Sequence, residues 1–149
     1  MISKILVPSD GSKTAQSAAA YAVDLAQQLK ASIIALSVID KRSFITQTVP
    51  ASETARHAIE PIEDYLREAA EAYTGEIKEL CDKNGVASKI SIKMGHPVEE
   101  IVKEAKRSKA NLIVMGSHGR SALSATVLGS VSYGVIHNDK NIPILIVRG

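Results

Sequence analysis

The chain has 149 residues and a mass of 15.9 kDa, which fits one ordinary core of roughly 100 to 200 residues, so a two-domain enzyme is not expected. Its hydrophobic fraction of 45% and charged fraction of 23% exclude global disorder, because that much apolar surface offsets the entropy of ordering the chain. The 18 basic and 16 acidic residues leave a charge of +2, with no Trp, one Phe and four Tyr, too balanced and too poor in aromatics for a nucleic-acid binder.

The chain opens directly into the strand-like I-S-K-I-L-V-P with nothing resembling a secretory leader, and its single cysteine, Cys81, cannot form an internal disulfide; cytoplasmic residence is the default expectation. Five runs rich in Ile, Val and Leu have strand length: Ile2 to Val7, Ser32 to Ile39, Ser88 to Met94, Asn111 to Met115 and Ile142 to Val147. Between the first two, Ala18, Ala22, Leu25, Ala26 and Leu29 form one helical face. Lys41 to roughly Ala58 fits no period and reads as a long excursion. A long amphipathic helix follows, with Ile59, Ile62, Leu66, Ala69, Tyr73, Ile77 and Leu80 recurring every three or four residues until Asn84-Gly85 stops it. A third helix starts at Pro97 and shows Val98, Ile101, Val102 and Ala105 on one face. No apolar run approaches the roughly 20 residues of a membrane span, so no membrane association is expected.

Strict alternation of strands and helices requires parallel strands, and nearly continuous apolar strands require helices on both faces. The expected fold is therefore a doubly wound, Rossmann-like α/β domain. In such sheets, ligands bind beyond the carboxyl ends of the strands where the winding reverses. Two loops at strand ends are rich in chemistry: V-P-S-D-G-S, residues Val7 to Ser12, and M-G-S-H-G-R, residues Met115 to Arg120.

The second loop runs on to give Gly116, Gly119, Gly129 and Ser130. Glycines let backbone amides approach an anion, and a following helix start presents unpaired N–H groups and the positive end of its dipole. Ser130 and Ser132 add hydroxyl donors, Arg120 adds charge, and Asp10 suits the hydroxyls of a ribose. The residues alone leave a second reading open, in which Gly116 and Gly119 make a tight turn and Asp10-Gly11 is cap chemistry. The pattern is neither a Walker A loop nor a G-x-G-x-x-G fingerprint.

V-P-S-D-G-S, then S-V-I-D, then G-S-H-G-R through G-S-V-S, in that order over essentially the whole chain, closely resemble the nucleotide-binding branch of the universal stress protein family. The resemblance implies one adenine nucleotide alpha-hydrolase-like domain over residues 1–149, with a five-stranded parallel sheet in the order 3-2-1-4-5. It implies that Pro8 and Ser9 lie near the base, Asp10 on the ribose, and Val38 against the adenine through its backbone. Met115 and Gly116 would line base and sugar, Gly119 and Arg120 begin the phosphate loop, and Gly129, Ser130, Val131 and Ser132 finish it. The implied ligand is ATP or AMP, with Mg²⁺ or Mn²⁺ arriving on the nucleotide, and the implied assembly is a homodimer through the last strand, Ile142 to Val147. A sheet-edge strand that apolar invites pairing in any case.

Other candidates carry less. His57, His96, His118 and His137 show no metal-site spacing, and no metal centre is expected. Cys81 falls on the apolar stripe of the long helix and reads as a buried small hydrophobe. Glu99 and Glu100 complement a helix start. The expected function is a dimeric nucleotide-dependent sensor or regulator in a stress response, acting on an unknown protein partner. Slow Mg-dependent ATP hydrolysis is the alternative, against which no residue is evidently placed to orient a water.

Overall fold

The computed structural model describes residues 1–40, 53–119 and 128–149, apart from the side chains of 53–61. Strands and helices alternate as β1 (Lys4–Pro8), α1 (Lys13–Leu29), β2 (Ser32–Ile39), α2 (Glu53–Lys83), β3 (Ser88–Met94), α3 (Pro97–Ser108), β4 (Leu112–Gly116), α4 (Ser130–Asn138) and β5 (Ile144–Val147). All pairings are parallel, in the order β3-β2-β1-β4-β5. The sheet winds outward from β1 through β2 to β3, then returns to β4 on the far side of β1. The reversal point lies between β1 and β4.

The two-residue strand period divides the core into two layers. Ile5, Val7, Ile33, Ala35, Leu112 and Val114 face α1 and α2, where they meet Ala18, Ala22, Ala26, Ile77 and Cys81. Leu6, Ile34, Leu36, Ile113 and Met115 face α3 and α4, where they meet Val98, Ile101, Ala105 and Val135. The small residues of α1 let that helix lie close on the strands. Ser12 caps it by accepting from the Ala15 amide, and left-handed Lys30 ends it.

Several expected boundaries move for local reasons. Leu29, expected on the buried face of α1, is exposed because the helix ends at the next residue. The helix after β2 begins at Glu53, inside the stretch expected to be an excursion up to Ala58; residues 41–52 lie outside the described residues. On α2 the fully packed alanine is Ala70, one position past the expected Ala69. Strand β5 starts at Ile144, where Ile142 was expected, because Pro143 has no N–H to pair; its carbonyl still accepts from Ile113. Cys81 is a free thiol with no exposed surface, and burial pushes its pKa up.

One buried charge on α3 is paired within the helix. The Glu104 side chain, only 4% exposed, accepts from Nε and an Nη of Arg107 at 3.1 and 2.6 Å. Burial alone would raise the Glu104 carboxyl, but Arg107, with Lys93 and Ser91 beside it, holds it below its ordinary 4.5. A depressed carboxyl stabilises the fold above its unfolded pKa, and that contribution disappears as pH falls through the folded value. Glu104→Gln is therefore expected to cost about 1 kcal/mol at pH 7, the exposed Arg107 keeping the figure low. Urea unfolding should show the gap between variant and parent closing as pH drops below 4.5.

Candidate functional site

Adjacency of β1 and β4, fixed by the pairs Ile5–Leu112 and Leu6–Ile113, brings the loops beyond their carboxyl ends together. The first of these, residues 9–12, is wound tightly by its own side chains. Ser9 Oγ accepts from the Gly11 amide at 3.2 Å, Asp10 Oδ1 accepts from the Ser12 amide at 3.0 Å, and Gln16 Nε2 donates to the Gly11 carbonyl at 3.1 Å. Gly11 adopts φ +78, and the ring of Tyr73 from α2 packs where a β-carbon would stand. The turn leaves Asp10 exposed at the mouth of the crevice while Pro8 and Ser9 are buried beneath it.

Three glycines of the second loop make close contacts, Gly116 with the start of α1, Gly119 with the first loop and Gly129 with the second loop's own beginning. A β-carbon on Gly116 would lie 2.7 Å from the Thr14 backbone carbon, and one on Gly119 would run into Asp10 Oδ2. One on Gly129 would lie 2.8 Å from the His118 α-carbon. The Thr14 hydroxyl donates to the His118 carbonyl, joining the start of α1 to the loop, and the Gly129 amide donates to the Ser117 carbonyl at 2.6 Å. The glycine pattern is thus first a packing requirement of the second loop against α1, the first loop and itself, and the missing side chain at Gly119 bares the backbone beside Asp10.

Helix α4 begins in this crevice with Gly129 as its N-cap, no side-chain cap and no acidic residue in its first turn. By contrast, Ser12 caps α1, and α3 opens on Pro97, Glu99 and Glu100. An uncapped start presents amide N–H groups and partial positive charge to any anion that enters. Ser130 is exposed and Val131 half-buried at that start. Ser132 is not turned outward: it is buried, and its hydroxyl donates to the Gly116 carbonyl at 2.7 Å, fastening α4 to the end of β4. The Met115 side chain lies in the α3–α4 layer of the core, so only its backbone borders the crevice. Arg120 lies outside the described residues.

Strand β2 supplies a further wall. The last β1–β2 register pair is Pro8–Leu36, and the Ser9 amide donates to the Leu36 carbonyl. In a parallel ladder, alternate residues turn both backbone groups to the same neighbour, so Val38 directs its N–H and C=O toward the space beyond the end of β1. Thr14 and Tyr73 are the site residues that no sequence signal marks, because each meets its partner only through long-range packing, Thr14 across 104 residues. Among the described residues, no group of three or more His, Cys, Asp or Glu side chains is placed to hold a metal, and no helix is long and apolar enough to cross a membrane.

Residues 1–148 match the sequence pattern of the universal stress protein family. Universal stress protein MJ0577 of Methanocaldococcus jannaschii is 34% identical over 157 residues, covering 99% of this chain and 96% of that protein. Universal stress protein YxiE of Bacillus subtilis is also 34% identical, over 99% of this chain and 100% of that protein. The solved structure of MJ0577 superposes with a TM-score of 0.81 at 33% identity, covering 100% of this chain and 97% of that one. A universal stress protein solved in complex with cAMP superposes with a TM-score of 0.70 at 26% identity, over 98% and 97% of the two chains.

The contacts of Gly116 and Gly119 predict a graded response to alanine. Gly116→Ala, which meets backbone, should destabilise by about 1–3 kcal/mol in urea unfolding. Gly119→Ala, which meets the end of an exposed side chain and no backbone atom outside its own loop, should cost less than Gly116→Ala while displacing Asp10.

Proposed function

The chain belongs to the universal stress protein family, and on that premise we propose that its 149 residues form one domain that binds an adenine nucleotide, ATP or AMP, in the crevice between the β1–α1 and β4–α4 loops. The observation that carries the reading is the juxtaposition of an exposed carboxylate, Asp10, with the bare backbone of Gly119 and the uncapped start of α4. A carboxylate suits the vicinal hydroxyls of a ribose, and unpaired amides suit phosphate. The family relative solved with cAMP supports the adenine class.

In the proposed pose, Val38 meets the base through its backbone, with Pro8, Ser9 and Met115 beneath base and sugar. Gly116, Gly119, Arg120, Gly129, Ser130 and Val131 surround the phosphates. Ser132 acts at one remove, through its hold on Gly116. Mg²⁺ or Mn²⁺ comes in on the phosphates, which supply the oxygen ligands that hard cations prefer. Binding is proposed over turnover: the buried Ser132 hydroxyl already serves the Gly116 carbonyl, which leaves fewer groups to strengthen their hold in a transition state. The role that follows is a nucleotide-dependent sensor or regulator that changes the surface it offers a protein partner.

Two copies are proposed to join through β5. All four of its residues, Ile144, Leu145, Ile146 and Val147, stay half-exposed in the single chain at the open edge of the sheet, an apolar edge that a second copy would cover.

Calorimetric titration with ATP, ADP, AMP and cAMP, preceded by mass spectrometry of small molecules released on denaturation, tests the binding. An adenine nucleotide should bind, and Asp10→Ala, an exposed change, should weaken it by about 10- to 100-fold, as losing hydrogen bonds to a charged group does. Absence of binding heat with all four nucleotides, with Mg²⁺ present, would sink the proposal. For the dimer, sedimentation should give twice the 15.9 kDa chain mass. Ile146 turns its amide away from β4, so Ile146→Pro should yield a folded monomer; a parent protein that sediments as a monomer refutes the pairing.

A further inference from the structure

The outer edge of the sheet remote from β5 carries a second surface, which runs from the amino ends of the strands to the carboxyl end of β3. Strand β3 is the other outer strand, and among the described residues it pairs only with β2. Ile33 donates to the Ala87 carbonyl and Gly95 donates to the Ile39 carbonyl, so the odd-numbered residues of β3 turn their backbone inward. Ser88, Ile90, Ile92 and Met94 therefore direct N–H and C=O groups outward along seven residues of edge. Beside this edge, between β3 and the end of α3, lies a groove of about 710 Å³ that reaches the amino ends of β1 and β2 at Lys4 and Ser32. Five cations line it, Lys4, Lys89, Lys93, Arg107 and Lys109, against one carboxylate, Glu104, which is already neutralised by Arg107.

The side chains alternate. Lys89, Ser91 and Lys93 lie on the groove face, in register with Ile34, Leu36 and Val38, while Ile90 and Met94 lie on the other face, 43% and 37% exposed. We propose that this edge docks an extended acidic segment of a partner protein by strand addition, with acidic residues at alternate positions opposite the lysines and apolar residues between them opposite Ile90 and Met94. Backbone pairing supplies affinity and the alternation supplies specificity. A second copy of this chain is the wrong occupant, because pairing β3 with itself sets two lysine rows side by side on one face. The inference does not depend on nucleotide binding, since the groove shares no residue with that crevice.

A fluorescent seven-residue peptide alternating Glu and Val is the probe, with a Lys-for-Glu peptide as its counterpart. Binding to the full chain should saturate, weaken with added salt, and protect the Ile90 and Ile92 amides from hydrogen exchange. Lys89→Glu combined with Lys93→Gln should weaken it at least about tenfold while the thermal midpoint shows that the fold persists. Three results would overturn the proposal: no saturable binding, equal binding by the double variant, or displacement by inorganic tripolyphosphate with the β3 amides unprotected, which would make the groove a small-anion site.

Discussion

The proposed nucleotide crevice depends on the close approach of two loops, imposed by the pairing of β1 with β4. That pairing forces the chain after β4 to pass the start of α1 at backbone distance. Gly116 is where it passes the backbone of Thr14, Gly119 where it passes the Asp10 carboxylate, and Gly129 where it folds back on His118. Side chains at those points would push the segment off α1, off Asp10 and off its own beginning. The spacing of three, then ten, residues that marks the motif in sequence is the spacing at which one segment meets three different neighbours.

The packing role and the proposed binding role are therefore two sides of one arrangement. Removing β-carbons so that loops can touch also removes them from around the Asp10 carboxylate and the first turn of α4. The Thr14 hydroxyl on the His118 carbonyl and the Ser132 hydroxyl on the Gly116 carbonyl hold the start of this bared backbone in place. Such fixing matters because a ligand held by backbone amides gains only if those amides are already aligned. The electrostatics divide across the sheet: anion-seeking amides beside the Asp10 carboxylate between the β1 and β4 ends, and a lysine-lined groove along the β3 edge.

Much of this architecture is legible in the sequence because it is written in short-range periods. Alternating Ile5, Leu6 and Val7 assign themselves to opposite layers, Asn84-Gly85 ends α2, and the unbroken strand–helix alternation leaves a parallel sheet. The crevice is legible too, since Asp10 and Gly119 follow strands that a doubly wound sheet places side by side. What escapes is whatever depends on contact between distant segments. Nothing near Thr14 announces that its hydroxyl reaches His118, and nothing in α2 announces that Tyr73 caps Gly11. Ser132 reads as a phosphate donor by position, yet the depth of α4 against β4 turns it inward. Alanine-rich faces also blur the helical stripe by one position, as with Ala69 and Ala70, because a methyl group marks a buried face only weakly.

The central claim is that one crevice, walled by the β1–α1 loop and floored by the start of α4, receives an adenine nucleotide. Amide chemical-shift mapping during titration with AMP and with ATP in the presence of Mg²⁺ tests it most directly, since it reports position without any substitution. The account predicts that shifts concentrate at residues 9–12, Val38, 117–119 and 129–132, with ATP extending the response along the start of α4. Shifts confined to other surfaces, or no shifts at saturating nucleotide, would contradict it.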